Sequence, residues 1–338
     1  MRDIYEYTDN FAKYQHVKSA PVISGKIDNP KITILIPTYK RPQTLRDSIA
    51  SALNQKMNAG MPEYEIVIMN DSPDEDGSTA ELVRSFHSDR IYFFVNERNI
   101  GMFGNWNRGV ELARGEYVVM LHDDDVLSPY YLEALTTAIR EKDHPAVIGT
   151  SHYDFQDIAS LNFAPLPQKL AYRQITCLQK FFGQAVSICG VAVRKDVYFK
   201  LGGYNDEYYP NADYIFIYKI VASGERALNI EHKSAGYRVS ENTSLKPGTM
   251  KKIILMTEHM RRNIAEHETF ARVFMKLFDR EYLYSFVIGA NNCWHLNIDP
   301  GEILREFGMN TDTPSRAKMK LMNFIRRAAL KLSKMGLF

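Results

Sequence analysis

With 338 residues, 45% of them hydrophobic, the chain can bury a sizeable core as one large or two small domains. A formal net charge of +2 is too small to argue for nucleic acid as a partner, and no Arg/Lys-aromatic pattern of an RNA-binding module is present. Cys177, Cys189 and Cys293 are odd in number and far apart, which indicates neither a disulfide framework nor a structural zinc site and fits a reducing cytosol. Met1–Tyr7 has no apolar h-region and no stretch approaches the roughly 20 apolar residues of a membrane span, so the expectation is a chain neither exported nor membrane-spanning. The Asn242-Thr243-Ser244 sequon is then a chance match.

Residues 1–30 are polar and aromatic without a clear period, and read as an N-terminal extension packed on the outside. Lys31–Pro37 is a short β-branched run stopped by proline, the pattern of a buried strand. After Thr38-Tyr39-Lys40-Arg41, Pro42 opens a helix with Leu45, Ile49, Ala52 and Leu53 on one face. Tyr64–Met69 is a second strand, running into Asn70-Asp71-Ser72. A helix around Ala80–Phe86, a strand at Ile91–Val95, the turn Asn99-Ile100-Gly101 and a helix near Phe103–Ala113 follow. The fourth strand, Glu116–Leu121, ends in His122-Asp123-Asp124-Asp125. Beyond it come a helix carrying Leu132, Leu135 and Ile139, a strand at Ala146–Gly149, and a loop-rich insertion over 151–186 with a helix near Thr176–Phe182. A strand at Ser187–Val193, a helix to Leu201, the Gly202-Gly203 break and a helix bearing Ile217, Ile220 and Val221 complete the pattern, and residues after about 250 read as helical.

Strand–helix alternation of this kind predicts a doubly wound, mostly parallel α/β sheet, whose ligands bind beyond the carboxyl ends of the strands. Pro37-Thr38-Tyr39, Asp71, Asn96–Asn99 and His122–Asp125 all fall there, so one cleft is expected to collect them. Adjacent carboxylates repel one another unless a cation sits among them. A hard divalent ion takes oxygen ligands together with substrate phosphate; an acidic solvated loop is the competing reading.

Ile34-Leu35-Ile36-Pro37-Thr38-Tyr39-Lys40-Arg41-Pro42, Asn70-Asp71-Ser72, Asn99-Ile100-Gly101, the acid cluster, and Gly202–Glu207 followed by Asp213 occur in order over roughly 31–245. In that order they resemble the family 2 inverting glycosyltransferases with the GT-A fold. The resemblance implies a mostly parallel mixed sheet flanked by helices, with a nucleotide-binding half over 31–125, an acceptor half over 126–245 and a helical C-terminal region over 246–338. It implies that Pro37, Thr38, Tyr39 and Arg41 line the nucleotide pocket and that Asp71 accepts a hydrogen bond from the base. By the same resemblance Asn99 and Gly101 let the backbone approach the nucleotide, and Asp123 lies near the ribose or donor sugar. Both His122-x-Asp124 and Asp123-x-Asp125 can be laid on the family's Asp-x-Asp motif; Asp124 is preferred as ligand to Mn²⁺ or Mg²⁺, with Asp125 second. Asp213 is the implied general base, although the start of a helix is also a natural place for a capping aspartate.

Two departures stand out. Ala212 occupies a position that is often acidic in the family, and Tyr237-Arg238-Val239-Ser240 lacks the histidine of the family's Tyr-Arg-x-His element. Arg238 either binds phosphate or pairs with an acid. The Gln-x-x-Arg-Trp motif of processive synthases is absent, which favours addition of a single sugar. The expected activity is metal-dependent inverting transfer of one hexosyl or N-acetylhexosaminyl unit from a nucleotide sugar, preferably a UDP-sugar, to a saccharide acceptor of the lipid-linked kind used for bacterial surface polysaccharides. An inactive nucleotide-sugar-binding scaffold is the second reading, motivated by the departures.

After Asp312 no acidic residue occurs, while Arg316, Lys320, Arg327, Lys331 and Lys334 recur at helical spacing and Leu321, Ile325, Ala328, Leu332 and Met335 form another face. Such a basic amphipathic helix over 316–335 either lies on an anionic membrane surface or docks on the domain or on a second subunit. The first option places a cytoplasmic protein peripherally on the inner face of the cytoplasmic membrane. The oligomeric state is left open.

Overall fold

The computed structural model describes residues 3–58, 60–73, 76–183, 186–239 and 246–334. Ser240, the triplet at 242–244 and Met335 lie outside the described residues. The strands are β1 (Ser19–Ile23), β2 (Ile32–Thr38), β3 (Tyr64–Asn70), β4 (Ile91–Asn96), β5 (Tyr117–Met120), β6 (Val126–Leu127), β7 (Val147–Phe155), β8 (Tyr172–Gln174), β9 (Val191–Arg194) and β10 (Ala227–Arg238). The helices are α1 (Pro42–Leu53), α2 (Ser78–Arg84), α3 (Met102–Leu112), α4 (Tyr131–Glu141), α5 (Cys177–Phe181), α6 (Lys195–Leu201), α7 (Ala212–Ala222), α8 (Pro247–His267), α9 (Thr269–Trp294), α10 (Pro300–Glu306) and α11 (Arg316–Lys334).

All these strands join one sheet in the order β1-β4-β3-β2-β5-β9-β7-β10-β6, with β8 paired to β10. One half of it is parallel through β4-β3-β2-β5. Beyond β5 the sheet is mixed, because β9 runs antiparallel between β5 and β7. Along β2 the side chains alternate between two cores. Ile34 and Ile36 pack with Leu45, Ile49 and Leu135 of α1 and α4, while Leu35 packs with Trp106, Val110, Val197 and Ile215 of α3, α6 and α7. A strand covered on both faces needs apolar residues at every position, so β2, β3 and β5 read as continuous runs in the sequence.

Two strands carry no such signal. The β1 side chains are largely exposed, yet the segment pairs antiparallel with β4 at the sheet edge. Ile4, Phe11 and Val17 before it are buried, so the N-terminal residues contribute to sheet and core as well as to the outer surface. In β10 the period is broken by Glu231, His232 and Lys233, where the register against β7 shifts.

The C-terminal helices continue the α3–α7 layer. Met260 and Ile264 of α8 and Phe274, Phe278 and Tyr282 of α9 share a core with Phe181 and Phe182 beside α5. On α11, Met322, Ala329 and Ser333 are buried, and Ser333 Oγ donates to Thr176 Oγ1 at 2.7 Å. One face of α11 is therefore docked on the domain. Among the described residues no helix is long and apolar enough to cross a membrane.

Candidate functional site

The carboxyl ends of β2, β3, β4 and β5 meet at one edge of the sheet, and two hydrogen-bond networks form there. In the first, Asp71 accepts from Asn96 Nδ2 at 2.8 Å and from the backbone amides of Ile100 at 3.0 Å and Gly101 at 2.9 Å. Asn99 Nδ2 donates to the Asp71 carbonyl at 3.1 Å. Burial pushes the Asp71 carboxyl above the ordinary carboxylate range, with these donors pulling it back. Gly101 has φ +78°, a left-handed conformation that glycine adopts without a Cβ clash, and it opens α3. Asp71 thus ties the 99–101 turn and Asn96 of β4 to the end of β3. Asp71→Ala removes the acceptor of the Ile100 amide and of one Asn96 N–H, while the Gly101 amide keeps Asn99 Oδ1 at 3.0 Å, and we expect a loss of about 1–3 kcal/mol in denaturant unfolding.

The second network joins β2 to the acid loop. Thr38 Oγ1 donates to Asp123 Oδ2 at 2.7 Å. Arg41 bridges two carboxylates, with Nη1 on Asp123 Oδ1 at 3.0 Å and Nη2 on Asp124 Oδ2 at 2.8 Å. Burial raises the Asp123 carboxyl to about 6 against the opposing pull of Arg41 and Thr38. Pro37 is buried within β2 opposite Met69. Tyr39, by contrast, is 47% exposed, with Lys40 Nζ over its ring 5.3 Å from the centroid.

The acid loop itself separates the roles of its members. One ligand atom from each of His122, Asp124 and Asp125 falls within a group no more than 4.8 Å across, and Asp123 is outside it. His122 Nδ1 is 3.4 Å from Asp125 Oδ2, and His122 Nε2 is buried without a hydrogen-bond partner among the described residues. Burial disfavours the imidazolium, but Asp125, Asp124 and Asp213 outweigh it and raise the His122 pKa. Ligands about 2.1 Å from an octahedral ion stand roughly 3–4 Å apart, so a small inward movement of these three side chains would let them hold a divalent cation. Trp106 stacks on the His122 ring with centroids 5.0 Å apart.

Arg238 lies behind this loop. Its amide donates to Asp125 Oδ1 at 3.0 Å, Nε to the Asp124 carbonyl at 2.9 Å, and Nη2 pairs with Asp47 Oδ2 at 2.6 Å. Of the two sequence readings of Arg238, pairing with an acid is the one the structure displays, and the pair braces the loop. Ser48 Oγ, on α1, closes the brace by donating to the Asp125 carbonyl at 2.7 Å.

Asp213 comes from a different part of the chain, the first turn of α7. It is not the N-cap, which is Asn211; its Oδ1 accepts from the Tyr214 amide at 2.7 Å. Burial raises its pKa, while the Tyr214 amide and the positive fields of His122 and Lys180 lower it. The charges of Asp213 and His122 act on one another, His122 favouring the Asp213 carboxylate and Asp213 favouring the His122 imidazolium.

Residues 33–200 match the family described as glycosyl transferase family 2. The chain belongs to the family 2 glycosyltransferases. A GalNAc(5)-diNAcBac-PP-undecaprenol beta-1,3-glucosyltransferase of Campylobacter jejuni is 32% identical over 113 residues, a match spanning 33% of this chain and 35% of that protein. Staphylococcus aureus TarS 1-349 in complex with UDP-GlcNAc superposes with a TM-score of 0.54 at 15% identity, covering 91% of this chain and 93% of that one. The mannosyltransferase PcManGT of Pyrobaculum calidifontis, in complex with GDP-Man and Mn²⁺, gives 0.53 at 15% identity, covering 95% and 92%. At such identity these two structures speak to the GT-A fold alone.

Of the residues singled out from sequence, those from Pro37 to Asp125 lie at or just beyond the carboxyl ends of β2 to β5, and Asp213 lies in the first turn of α7. From the sequence only Asp124 and Asp125 were put forward as metal ligands, whereas the structure groups His122 with them. Lys180, buried on α5 and acting electrostatically on Asp213, carries no sequence signal, because the contact between α5 and α7 is long-range. Two clefts of about 490 and 610 Å³ open around Lys31 and Glu116, at the amino ends of β2 and β5, and contain none of these residues.

Proposed function

We propose that this glycosyltransferase moves one sugar from a UDP-sugar to a saccharide acceptor with inversion, in a divalent-metal-dependent reaction. The observation that carries the reading is the His122, Asp124, Asp125 group at the carboxyl edge of the parallel strands, with the buried Asp213 of α7 within its electrostatic reach. Tyr39 would face the base. Thr38 and Asp123 would hold the ribose or donor sugar. Asn99 and Gly101, on the turn that Asp71 fixes, would flank the nucleotide. Arg41 neutralises Asp123 and Asp124 in the free protein and is placed to turn toward the donor's diphosphate. His122, Asp124 and Asp125 would hold the ion, and the imidazole nitrogen in that set favours Mn²⁺ over Mg²⁺. When bound, the ion supplies Lewis-acid neutralisation of the departing diphosphate. Asp213 takes the proton of the acceptor hydroxyl as its oxygen bonds to the anomeric carbon and the bond to the diphosphate breaks, a single displacement that inverts the centre. A screen of UDP- and GDP-sugars with and without Mn²⁺ tests this. Thermal stabilisation and UDP release with a UDP-sugar, both requiring Mn²⁺, are expected; binding without turnover across acceptors would support the scaffold reading instead.

The acceptor we propose is a lipid-linked saccharide, the class that the Campylobacter GalNAc(5)-diNAcBac-PP-undecaprenol glucosyltransferase is named for, met at an anionic membrane surface. What supports it here is the second face of α11. Leu321, Phe324 and Leu332 are 52%, 69% and 40% exposed, with exposed Lys320, Arg327 and Lys331 beside them. Because the opposite face is docked, substitution is a cleaner test than deletion. Phe324→Ser combined with Lys320→Glu and Lys331→Glu should abolish co-sedimentation with phosphatidylglycerol vesicles and leave the melting temperature unchanged; undiminished sedimentation would sink the membrane reading.

A further inference from the structure

Lys180 sits on α5 with only 1% of its surface exposed, and its Nζ has no hydrogen-bond partner among the described residues. The ammonium stands over the Tyr214 ring, 3.8 Å from its centroid, and the Tyr214 hydroxyl donates to the Lys180 carbonyl. That double contact fastens α5 to the first turn of α7, one residue from Asp213. A buried ammonium without a partner is costly, and a thioether of similar length would fill the same space. The nearby charges are few. Asp213 favours the ammonium and Arg173 opposes it, while Arg261 on α8 is paired with Glu258 and Asp279. On the Asp213 side, Lys180 and His122 favour the carboxylate and Tyr204 faces it from the loop after α6.

Resting on the reading of Asp213 as general base, we infer that Lys180, held over the ring of the adjacent Tyr214, is a positioning residue for it, a buried counter-charge that favours the Asp213 carboxylate. The stacked Tyr214 ring holds the charge in place, since a cation over an aromatic face is stabilised without a hydrogen bond. Burial pushes the Lys180 ammonium down to about 7, with Asp213 pulling it back up, so the counter-charge is present on the acid side of neutrality, where the test reads it. Loss of a neighbouring opposite charge typically moves a carboxylate by about one to three pH units. The sign follows: without Lys180 the Asp213 pKa rises further, so the basic form is lost at a higher pH as acid is added.

The test measures UDP release from the most active donor of a UDP-sugar panel with Mn²⁺, across pH, together with melting temperatures. Lys180→Met should melt at the wild-type temperature or above it, because an unpaired buried charge is gone. Its donor KM should be unchanged, its kcat at mildly acidic pH should fall about tenfold or more, and the acidic limb should move upward. Lys180→Arg should return the limb toward wild type; Lys180→Gln takes the place of Lys180→Met if the latter does not fold. A wild-type limb in the neutral variants overturns the inference, and so does a uniform loss with a lowered melting temperature and no rescue by arginine. An active Asp213→Asn would remove the base reading and this inference with it. An inactive Asp213→Asn beside an unshifted Lys180→Met overturns this inference alone.

Discussion

Asp213→Asn is expected to reduce kcat by about 10²–10⁴-fold, the usual worth of a positioned general base, with donor affinity intact. Asparagine keeps the side-chain volume and an oxygen that can accept from the Tyr214 amide, now at 2.7 Å from Oδ1, so the start of α7 should survive. What it removes is the capacity to take a proton. In the wild type, burial holds the Asp213 pKa above the ordinary carboxylate value, so the basic form persists above that raised pKa and disappears as pH falls through it. The kcat profile should accordingly lose activity on the acid side at higher pH than a solvent-exposed aspartate would dictate, and the limb should be missing from the residual rate of the variant. Calorimetric donor affinity equal to wild type, with UDP release lost, is the outcome expected; retained turnover would move the base elsewhere.

Asp124→Ala should cost about 10²–10³-fold in kcat/KM and abolish stabilisation by Mn²⁺, because an ion that neutralises a leaving diphosphate contributes several kcal/mol to the transition state. The two readings of the acidic register differ here. Asp123 turns its carboxylate to Thr38 and Arg41, at 2.7 and 3.0 Å, whereas Asp124 falls with His122 and Asp125. Asp123→Asn should therefore keep the Mn²⁺-dependent shift in melting temperature, and Asp124→Ala and His122→Ala should lose it. Without metal, Asp124→Ala should be no less stable than wild type, since Arg41 retains Asp123 and one of the crowded carboxylates is gone. A variant set in which Asp123 alone controls the metal response would reverse the assignment.

The parallel strands β2, β3 and β5 were legible because both of their faces are covered, and burial on two sides leaves an apolar residue at each position. For the same reason the sequence located Thr38, Asp71 and the acid loop, each being the first polar group after such a run. The strands β1 and β10 escaped it: one exposes most of its side chains, and the other has its period interrupted by register shifts. Arg238 was undecidable from its neighbours in sequence, since Asp47 and the Asp124 carbonyl reach it only through the folded sheet.

By itself, then, the sequence determined a parallel α/β core and the order of polar groups along one edge, because those depend on periodicity and on where strands stop. The tertiary structure alone decided which of the acids in 123–125 faces which partner, that His122 joins two of them, and that the buried Lys180 stands over the Tyr214 ring beside Asp213. These are long-range contacts, or choices of side-chain direction within a turn, and neither leaves a local pattern that propensity or spacing can record.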